Sequence, residues 1–297
     1  MIIFWTECTH HAQSIRPIYE EMKRRGKDVT WAVTRRPPKT GNIITSSAQV
    51  AWAYGRPHNR TISLNHSLDR HELIKDYPLS RRFKAVMFPG VWWQKRMNNP
   101  PRNRVIGWPK SDILFNVNVQ KLRRKIGLPE GKTIFYAVSY TYWSRKITEG
   151  VIVNAKILCK LARKLGFNVL VKVHPGMLDV NFKLLSKVLR IQKNAYVLPR
   201  YSGNSMKAFP LADVFVSETS GMLTEFLATG KPSIQISASV KHKAPGGVFH
   251  AKVGHISNIL RTLNPHPQAT AWKKLLMNTV DGKASVRAAN FIEEVFG

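Results

Sequence analysis

Short apolar runs alternate with amphipathic stretches along most of this sequence, and this alternation restricts the fold more than any other feature. The first apolar run is Ile2–Trp5, and residues 14–26 then carry a helical pattern that ends at Gly26. A second apolar run covers Val29–Val33. Because a helix between two strands connects them in parallel, this order predicts a βαβ unit.

The second half of the chain repeats this pattern after residues 122–132, which we interpret as a linker. Strands that alternate with short helices predict a parallel sheet with helices on both faces. Two such halves predict an α/β fold of two Rossmann-like domains whose parallel sheets face a central cleft. We place these domains at residues 1–125 and 126–285, and we expect a C-terminal helix at 286–297 to pack back on the first domain. The strands predicted in the second half are 133–138, 168–173, 196–198, 214–216 and 233–236, and the helices are 151–165, 182–189 and 222–229.

The charge of the chain points to a polyanionic partner. Lys and Arg number 47 against 17 Asp and Glu, which gives a net charge of +30. The excess is spread over both halves, with +17 for residues 1–150 and +13 for residues 151–297. Self-repulsion on this scale opposes a compact fold, so we expect nucleic acid, an anionic membrane face or a phosphate polymer to neutralise it.

Cysteine content and hydropathy indicate a globular protein of a reducing compartment. The two cysteines, Cys8 and Cys159, form neither a disulfide framework nor a metal motif. The sequence contains no run of eighteen apolar residues. We therefore expect a cytoplasmic protein.

The stretch VFVSETSGMLTEF, residues 214–226, joins an apolar strand to a helix through five small or acidic residues. Hydroxyl groups at such a point are typical of helix caps, which satisfy the first free N–H groups of a helix. The same N–H groups also favour a phosphate, because the helix dipole is positive at this end. His174 ends another apolar strand of the same predicted sheet, and ligands bind at this edge of parallel sheets. The coincidence favours a phosphate site in which an imidazole stabilises a leaving nucleotide.

The order of these motifs resembles the donor half of GT-B transferases. VLVKVHPG at 169–176 and the loop at 217–221 are similar to segments of CDP-glycerol glycerophosphotransferases of teichoic acid synthesis, which carry Lys-x-His-Pro at a strand end. UDP-N-acetylglucosamine 2-epimerase is similar over the same loop. The resemblance implies a UDP- or CDP-linked donor, with its phosphates on Thr219, Ser220 and Gly221 and its ribose hydroxyls on Glu225.

Upstream segments extend the resemblance from about Thr61 to Ile236. TISLNHSLDR places His66 where the family carries a catalytic histidine, and RVIGWPKSDILF is similar to a Gly-Tyr-Pro-x-x-Asp segment of the family. The chain departs from the family at Ser67, where the family has Gly, and at Glu218-Thr219, where the family has Asp-Tyr. These departures concern the donor and the acceptor more than the architecture.

A second candidate base lies in the loop Cys8-Thr9-His10-His11, where His11 is preferred to His10. Histidine suits this role because its ordinary pKa lies near neutral pH. We expect no metal here, since no carboxylate or third ligand is spaced for zinc. The chain also lacks the Asp-x-Asp motif of metal-dependent GT-A transferases, so we expect transfer without a metal or other cofactor. The catalytic candidates are therefore His66, His11 and His174, and the positive charge at the donor would come from His174, Lys172 and Arg200.

Basic pairs interleaved with aromatic residues in the first 125 residues predict the acceptor side. Any one pair is typical of a solvated helix end, but cations beside exposed rings suit a phosphate backbone with bases to stack on. The tryptophan pair has an alternative interpretation as a core element or a membrane-surface wedge. The acceptor-binding candidates are Arg35, Arg36, Arg81, Arg82, Lys95, Arg96, Trp92 and Trp93.

Three functions remain open from the sequence. The favoured hypothesis is a GT-B glycosyltransferase that moves a sugar from a nucleotide-diphosphate donor to DNA with a hydroxymethylated base, because a long duplex would neutralise the charge of +30. The first alternative is a CDP-glycerol-type glycerophosphotransferase that extends a glycerol-phosphate polymer at the membrane face. The second alternative is a nucleic-acid-binding protein that keeps the fold without catalysis.

Overall fold

The chain forms two compact units in a computed structural model. The structure describes residues 1–9, 11–46, 58–64, 68, 83–97, 102–138, 145–174, 177, 179–199, 203–236, 244 and 246–297, and of residues 58 and 145–148 it describes the backbone only. Unit 1 comprises Met1–Asn116 and Lys273–Gly297, and unit 2 comprises Val117–Trp272. The limits that we expected at 125 and 285 therefore differ from those of the compact units, and the last 25 residues belong to unit 1.

The described residues of unit 1 contain a six-stranded parallel sheet with the strand order β2-β1-β3-β4-β5-β6. Each strand is short, and all four residues of both β4 and β5 are buried. The βαβ unit predicted at the start of the chain is confirmed, because β1 and β2 pair in parallel. The strands are β1 (Ile2–Thr6), β2 (Val29–Val33), β3 (Asn42–Thr45), β4 (Thr61–Leu64), β5 (Ala85–Phe88) and β6 (Asn103–Val105).

The described residues of unit 2 contain a second six-stranded parallel sheet, in the order β12-β11-β10-β7-β8-β9. Its central strands are mostly apolar, as is typical of parallel strands that are covered on both faces. The two strands predicted at 133–138 and 168–173 are confirmed at both ends. The strands are β7 (Thr133–Val138), β8 (Asn168–Val173), β9 (Ala195–Val197), β10 (Val214–Ser217), β11 (Ser233–Gln235) and β12 (Phe249–His250).

Helices pack against these sheets, and loops connect the helices to the strands. In unit 2, one core lies between the sheet and buried residues of α4 and α5, such as Leu158 and Leu185. The α-helices are α1 (Arg16–Arg24), α2 (Val91–Arg96), α3 (Val119–Ile126), α4 (Arg145–Lys164), α5 (Asp179–Arg190), α6 (Met222–Glu225), α7 (Ser257–Thr262), α8 (Ala269–Met277) and α9 (Ala284–Phe296). The 3-10 helices are His11–Ser14, His58–Arg60, Pro109–Asn116, Ser205–Leu211, Phe226–Thr229 and Val253–His255.

The linker that we predicted at residues 122–132 is wrong over its first part, because helix α3 extends to Ile126. Asn118 caps this helix, with its side chain accepting a hydrogen bond from Lys121 N at 2.9 Å. Gly127 ends the helix in the left-handed conformation at φ +68°. The cationic run at residues 123–125 is the last turn of the helix, where positive charge is favoured by the helix dipole.

Asp112 holds the start of helix α9 in place within unit 1. Its carboxylate accepts hydrogen bonds from Ala284 N at 3.1 Å, from Ser285 N at 2.7 Å and from Ser285 Oγ at 2.6 Å. Burial raises the pKa of Asp112, and these hydrogen bonds act in the opposite direction. Gly107 at φ +87° lets α9 approach, since a Cβ there would lie 3.1 Å from Ala284 Cβ.

Replacing Asp112 with alanine should lower the free energy of unfolding by about 1–3 kcal/mol, because three buried donors at the start of α9 lose their acceptor. Chemical denaturation followed by circular dichroism measures this loss. Asp28→Ala is the control, because Asp28 is exposed and its ion pair with the exposed N-terminal amine contributes little to stability. Equal stability of the Asp112 and Asp28 variants would contradict the capping role.

Among the described residues, none of the helices has the length and hydropathy that a bilayer span needs.

Candidate functional site

The carboxyl edge of the unit 2 sheet brings together the two polar segments that the sequence analysis singled out. Strand β7 lies between β10 and β8. In the register of the sheet, Ser217 pairs with Ala137, and Val138 pairs with Val173. The loop after β10 and His174 after β8 therefore emerge from the same edge, two strand spacings or about 10 Å apart. The prediction that both lie at one edge is confirmed.

Hydrogen bonds from both sides fix the loop at residues 217–221. Ser217 Oγ donates to Ala137 O at 2.6 Å and accepts from Ser220 N at 3.3 Å. Ser220 Oγ accepts from Met222 N at 3.2 Å, so this hydroxyl satisfies the first N–H group of the short helix α6, whose N-cap residue is Gly221. Phosphate binding by Thr219, Ser220 and Gly221 stays a prediction.

The loop at residues 217–221 includes a buried acidic residue, Glu218. Glu218 is 6% exposed, and its carboxylate accepts hydrogen bonds from Tyr136 Oη and, at 3.3 Å, from Asn154 Nδ2. Gln235 Nε2 donates to the backbone oxygen of Glu218 at 2.7 Å, and Gln235 Oε1 accepts from Ala244 N at 2.9 Å. Side chains from β7, α4 and β11 thus hold one residue of the loop in place.

The environment of Tyr136 keeps it a hydrogen-bond donor. Burial raises the pKa of Tyr136 well above its usual value, and the charge of Glu218 raises it further. The phenol therefore stays protonated and donates to Glu218. Sequence patterns did not identify this pair, and Glu218 was noted only as a departure from the family. The available signal was a tyrosine inside the apolar run TIFYAV, because a buried phenol needs a partner.

Two other predicted donor ligands in unit 2 are buried. Lys172 is 6% exposed and its Nζ donates to Val173 O at 2.7 Å, so its charge lies inside the sheet edge. Glu225 is 2% exposed in α6. His174 is half-buried, and its backbone oxygen accepts from Met177 N at 3.0 Å. Their roles toward a donor stay predictions, and Arg200 lies outside the described residues.

The loop after β1 in unit 1 holds a cluster that the sequence analysis judged incomplete. His11 Nδ1 lies 2.8 Å from Glu7 Oε1, and the ligand atoms of Glu7, Cys8 and His11 all lie within 4.8 Å of one another. Ser46 Oγ and Ser14 Oγ both donate to His11 O, at 2.9 and 3.1 Å. Our expectation that no carboxylate lies near His11 is therefore wrong. Three such atoms are the number that an open zinc site uses, so these residues could hold a metal.

The predicted acceptor residues separate into exposed cations and one buried ring. Arg35, Arg36, Lys95 and Arg96 are exposed. Trp93 is 1% exposed and its Nε1 donates to Leu276 O at 3.1 Å, so our prediction that it stacks on an acceptor is wrong. It is a core residue, the alternative we had left open for the pair. Trp92 is half-buried under the guanidinium of Arg96, whose Cζ lies 4.8 Å from the ring centroid. Two further acceptor candidates, Arg81 and Arg82, lie outside the described residues, and so does the catalytic candidate His66.

A family model for CDP-Glycerol:Poly(glycerophosphate) glycerophosphotransferase matches residues 55–242, more than half of the chain. The chain belongs to this family. The matched region includes the loop after β10 and His174, and the family transfers from a nucleotide-linked donor. The match favours the glycerophosphotransferase alternative over DNA glycosylation, for which no support was found.

Solved structures confirm that each unit is Rossmann-like and that the fold is GT-B. The wall teichoic acid polymerase TagF, soaked with CDPG, has a TM-score of 0.72 at 15% identity, over 99% of this chain and 88% of that chain. UDP-GlcNAc 2-epimerase from Neisseria meningitidis has a TM-score of 0.64 at 13% identity, over 99% of both chains. A putative UDP-N-acetylglucosamine 2-epimerase from Listeria monocytogenes has a TM-score of 0.67 at 9% identity, over 99% of this chain and 96% of that chain. No curated protein sequence matches the chain.

Proposed function

We propose that this protein transfers glycerol phosphate from CDP-glycerol to the terminal hydroxyl of a glycerol-phosphate polymer. The acceptor oxygen would attack the phosphorus that carries glycerol, forming a new P–O bond while the bond to the cytidylate oxygen breaks. CMP leaves with that electron pair, and a base takes the hydroxyl proton. This is phosphoryl transfer, so the sugar transfer favoured by the sequence analysis is not part of the proposal.

The observation that carries this proposal is the family match over residues 55–242. It covers His66, His174 and the whole loop at 217–221, which are the segments on which the resemblance depended. A phosphate polymer also provides the polyanion that a net charge of +30 requires. The structure supports the proposal because the loop and His174 share one sheet edge in unit 2.

The proposed roles follow from the chemistry of each side chain. His174 would donate a hydrogen bond to the leaving cytidylate as negative charge builds on it. Gly221 would bind the diphosphate through its amide, and the buried charge of Lys172 would favour an anion at this edge. His66 would accept the proton of the hydroxyl, with His11 as the second candidate.

Release of CMP tests the proposed function. The full chain is incubated with CDP-glycerol and a synthetic glycerol-phosphate oligomer, and CMP and oligomer length are measured by liquid chromatography and mass spectrometry. We expect one CMP for each unit added. Sugar transfer from a UDP-linked donor to duplex DNA with 5-hydroxymethylcytosine would instead support the glycosyltransferase hypothesis. Binding of that DNA without turnover of either donor would support the inactive nucleic-acid-binding alternative.

Transfer should persist when divalent cations are removed, because we propose that protein groups supply the positive charge at the diphosphate. After dialysis against EDTA, the rate of CMP release should stay within about twofold of the untreated rate. The Cys8→Ser variant is the matched control, since it removes one potential ligand from the cluster at Glu7 and His11. A rate that collapses in EDTA and returns with zinc or magnesium would overturn metal independence.

A further inference from the structure

The loop after β1 brings three metal-ligating side chains together at the carboxyl edge of the unit 1 sheet. Strand β1 ends at Thr6, and the backbone bends at Glu7 and Cys8 before the 3-10 helix that begins at His11. One ligand atom of each of Glu7, Cys8 and His11 lies within 4.8 Å of the ligand atoms of the other two. We refer to these three side chains as the β1 loop cluster.

Two polar atoms of the cluster are shielded from bulk water. Glu7 Oε2 and His11 Nδ1 each expose less than 1 Å² to solvent. His11 Nδ1 also lies 2.8 Å from Glu7 Oε1, so the imidazole and the carboxylate already face each other. An ion pair accounts for Glu7 and His11 but gives no role to the thiol of Cys8, which lies beside both. A shared metal ion accounts for all three.

Buried hydroxyl groups fix the backbone on both sides of the cluster. Thr6 Oγ1 donates to Cys8 O at 3.1 Å, and Ser14 Oγ and Ser46 Oγ both donate to His11 O. Ser46 directly follows β3, the strand that pairs with β1. Thr6, Ser14 and Ser46 are all buried. Because the backbone that carries the ligands is held in this way, little of the loop has to be ordered when an ion binds.

The ligand types favour zinc. A thiolate and an imidazole are common zinc ligands, whereas Mg²⁺ and Ca²⁺ are bound through oxygen atoms. The carboxylate of Glu7 and a thiolate at Cys8 would supply two negative charges, which balance a divalent cation. In a tetrahedral zinc site the ligand atoms lie about 3.4–3.6 Å apart. Small side-chain rotations would bring the cluster from its present spacing to that distance.

We propose that Glu7, Cys8 and His11 bind a zinc ion whose fourth position is open to water. On binding, the Cys8 thiol releases its proton to solvent, while the Glu7 carboxylate and the neutral imidazole coordinate through lone pairs. The ion holds the loop after β1 and occupies the lone pair that His11 would need to act as a base. His66 is then the remaining candidate base. The site belongs to unit 1 alone, so the proposal does not depend on the transferase activity.

Cobalt substitution tests the site on the full chain. The protein is treated with EDTA, exchanged into chelator-free buffer with a non-thiol reductant, and titrated with Co²⁺. Thiolate coordination gives a charge-transfer band in the near ultraviolet, and four-coordinate cobalt gives strong visible absorption. We expect both signals to saturate at one ion per chain and to disappear when zinc is added, because zinc binds such ligands more tightly. Absence of the charge-transfer band at saturating cobalt would overturn the proposal.

Substitutions of the ligands locate the ion. Cys8→Ser should abolish the charge-transfer band, and both Cys8→Ser and His11→Ala should lower the zinc affinity by at least about a hundredfold in competition with a chromophoric chelator. Cys159→Ala removes the other thiol, and His255→Ala removes an exposed imidazole of unit 2. We expect both control variants to bind zinc like the original protein. Thermal melts confirm that each variant is folded.

The two cysteines are distinguishable because only one is accessible. Burial raises the pKa of the Cys159 thiol to about 11, so this thiol stays protonated and is a poor ligand. In the original protein, zinc should slow the alkylation of Cys8 by iodoacetamide at least about tenfold, as measured by peptide mass spectrometry. This measurement needs no variant. Equal rates of alkylation with and without zinc would contradict the proposal.

Two results from the variants would also contradict it. Undiminished zinc affinity in Cys8→Ser would place the ion outside the β1 loop cluster. Loss of the charge-transfer band in Cys159→Ala would assign the thiolate to the other cysteine. CMP release by the zinc-free protein, measured on the same preparations, reports the transferase activity separately.

Discussion

Replacing His174 with alanine is expected to slow CMP release by about 10²–10³-fold, because the variant lacks the hydrogen-bond donor proposed for the leaving cytidylate. The loss should appear in kcat at saturating CDP-glycerol. The dissociation constant of the donor should change by less than about tenfold, since most of its contacts would lie in the loop after β10. Steady-state kinetics and calorimetric titration on the same preparation measure the two quantities.

Histidine variants elsewhere in the chain make this result specific. His255→Ala removes an exposed imidazole of unit 2 and should leave kcat unchanged. His66→Ala should lower kcat by about 10²–10⁴-fold if His66 is the general base, and His11→Ala should then have a much smaller effect. The reverse order would assign the base to His11 and its Glu7 partner. A His174 variant with more than a third of the original kcat would exclude His174 from the reaction.

Replacing Tyr136 with phenylalanine is expected to lower the free energy of unfolding by about 1.5–3 kcal/mol. The phenol is fully buried and donates to a carboxylate that is itself 6% exposed, so the variant leaves a buried charge with fewer hydrogen bonds. Glu218 belongs to the loop at 217–221, which we propose binds the donor. If the Tyr136 variant displaces Glu218, donor binding should also weaken. Thermal melting and CDP-glycerol titration of the same variant measure both effects.

A double-mutant cycle with Glu218→Gln isolates the contribution of this pair. The double variant should be more stable than the sum of the single losses predicts, because Tyr136 and Glu218 share one interaction. Tyr196→Phe on strand β9 is the matched control, and we expect it to cost less than about 0.5 kcal/mol. Additive losses in the cycle would show that the two side chains act independently, and the loop would then be held by other contacts.

The sequence predicted the unit 2 sheet well because buried parallel strands are continuous apolar runs. Strands β7 and β8 match their predicted limits, and the polar residues that follow β8 and β10 lie at one edge as expected. In unit 1, β4 carries Thr61 and Ser63 at buried positions, so its polar residues weaken the apolar signal of the strand.

Contacts between residues far apart in the chain could not be predicted from sequence patterns. Asp112 and Ser285 are 173 residues apart, and Tyr136 and Glu218 are 82 residues apart. The interaction of Glu7 with His11 spans only four residues, but it depends on a loop geometry that the order of residues does not specify. Trp93 illustrates the same limit, because its place in the core depends on the backbone of Leu276.

We expect the sheet edge of unit 2 to bind a CDP-linked donor, and a thermal-shift comparison of donors tests this most directly. The melting temperature is measured with CDP-glycerol, UDP-N-acetylglucosamine, and GDP- and ADP-linked sugars at equal concentrations. Ligand at a hundredfold excess over its dissociation constant stabilises the folded state by about 2.7 kcal/mol, so CDP-glycerol should raise the melting temperature by several degrees. The Gly221→Asp variant, which places a negative charge in the loop, should lose this shift. A shift with another nucleotide and none with CDP-glycerol, or an undiminished shift in the variant, would contradict the account.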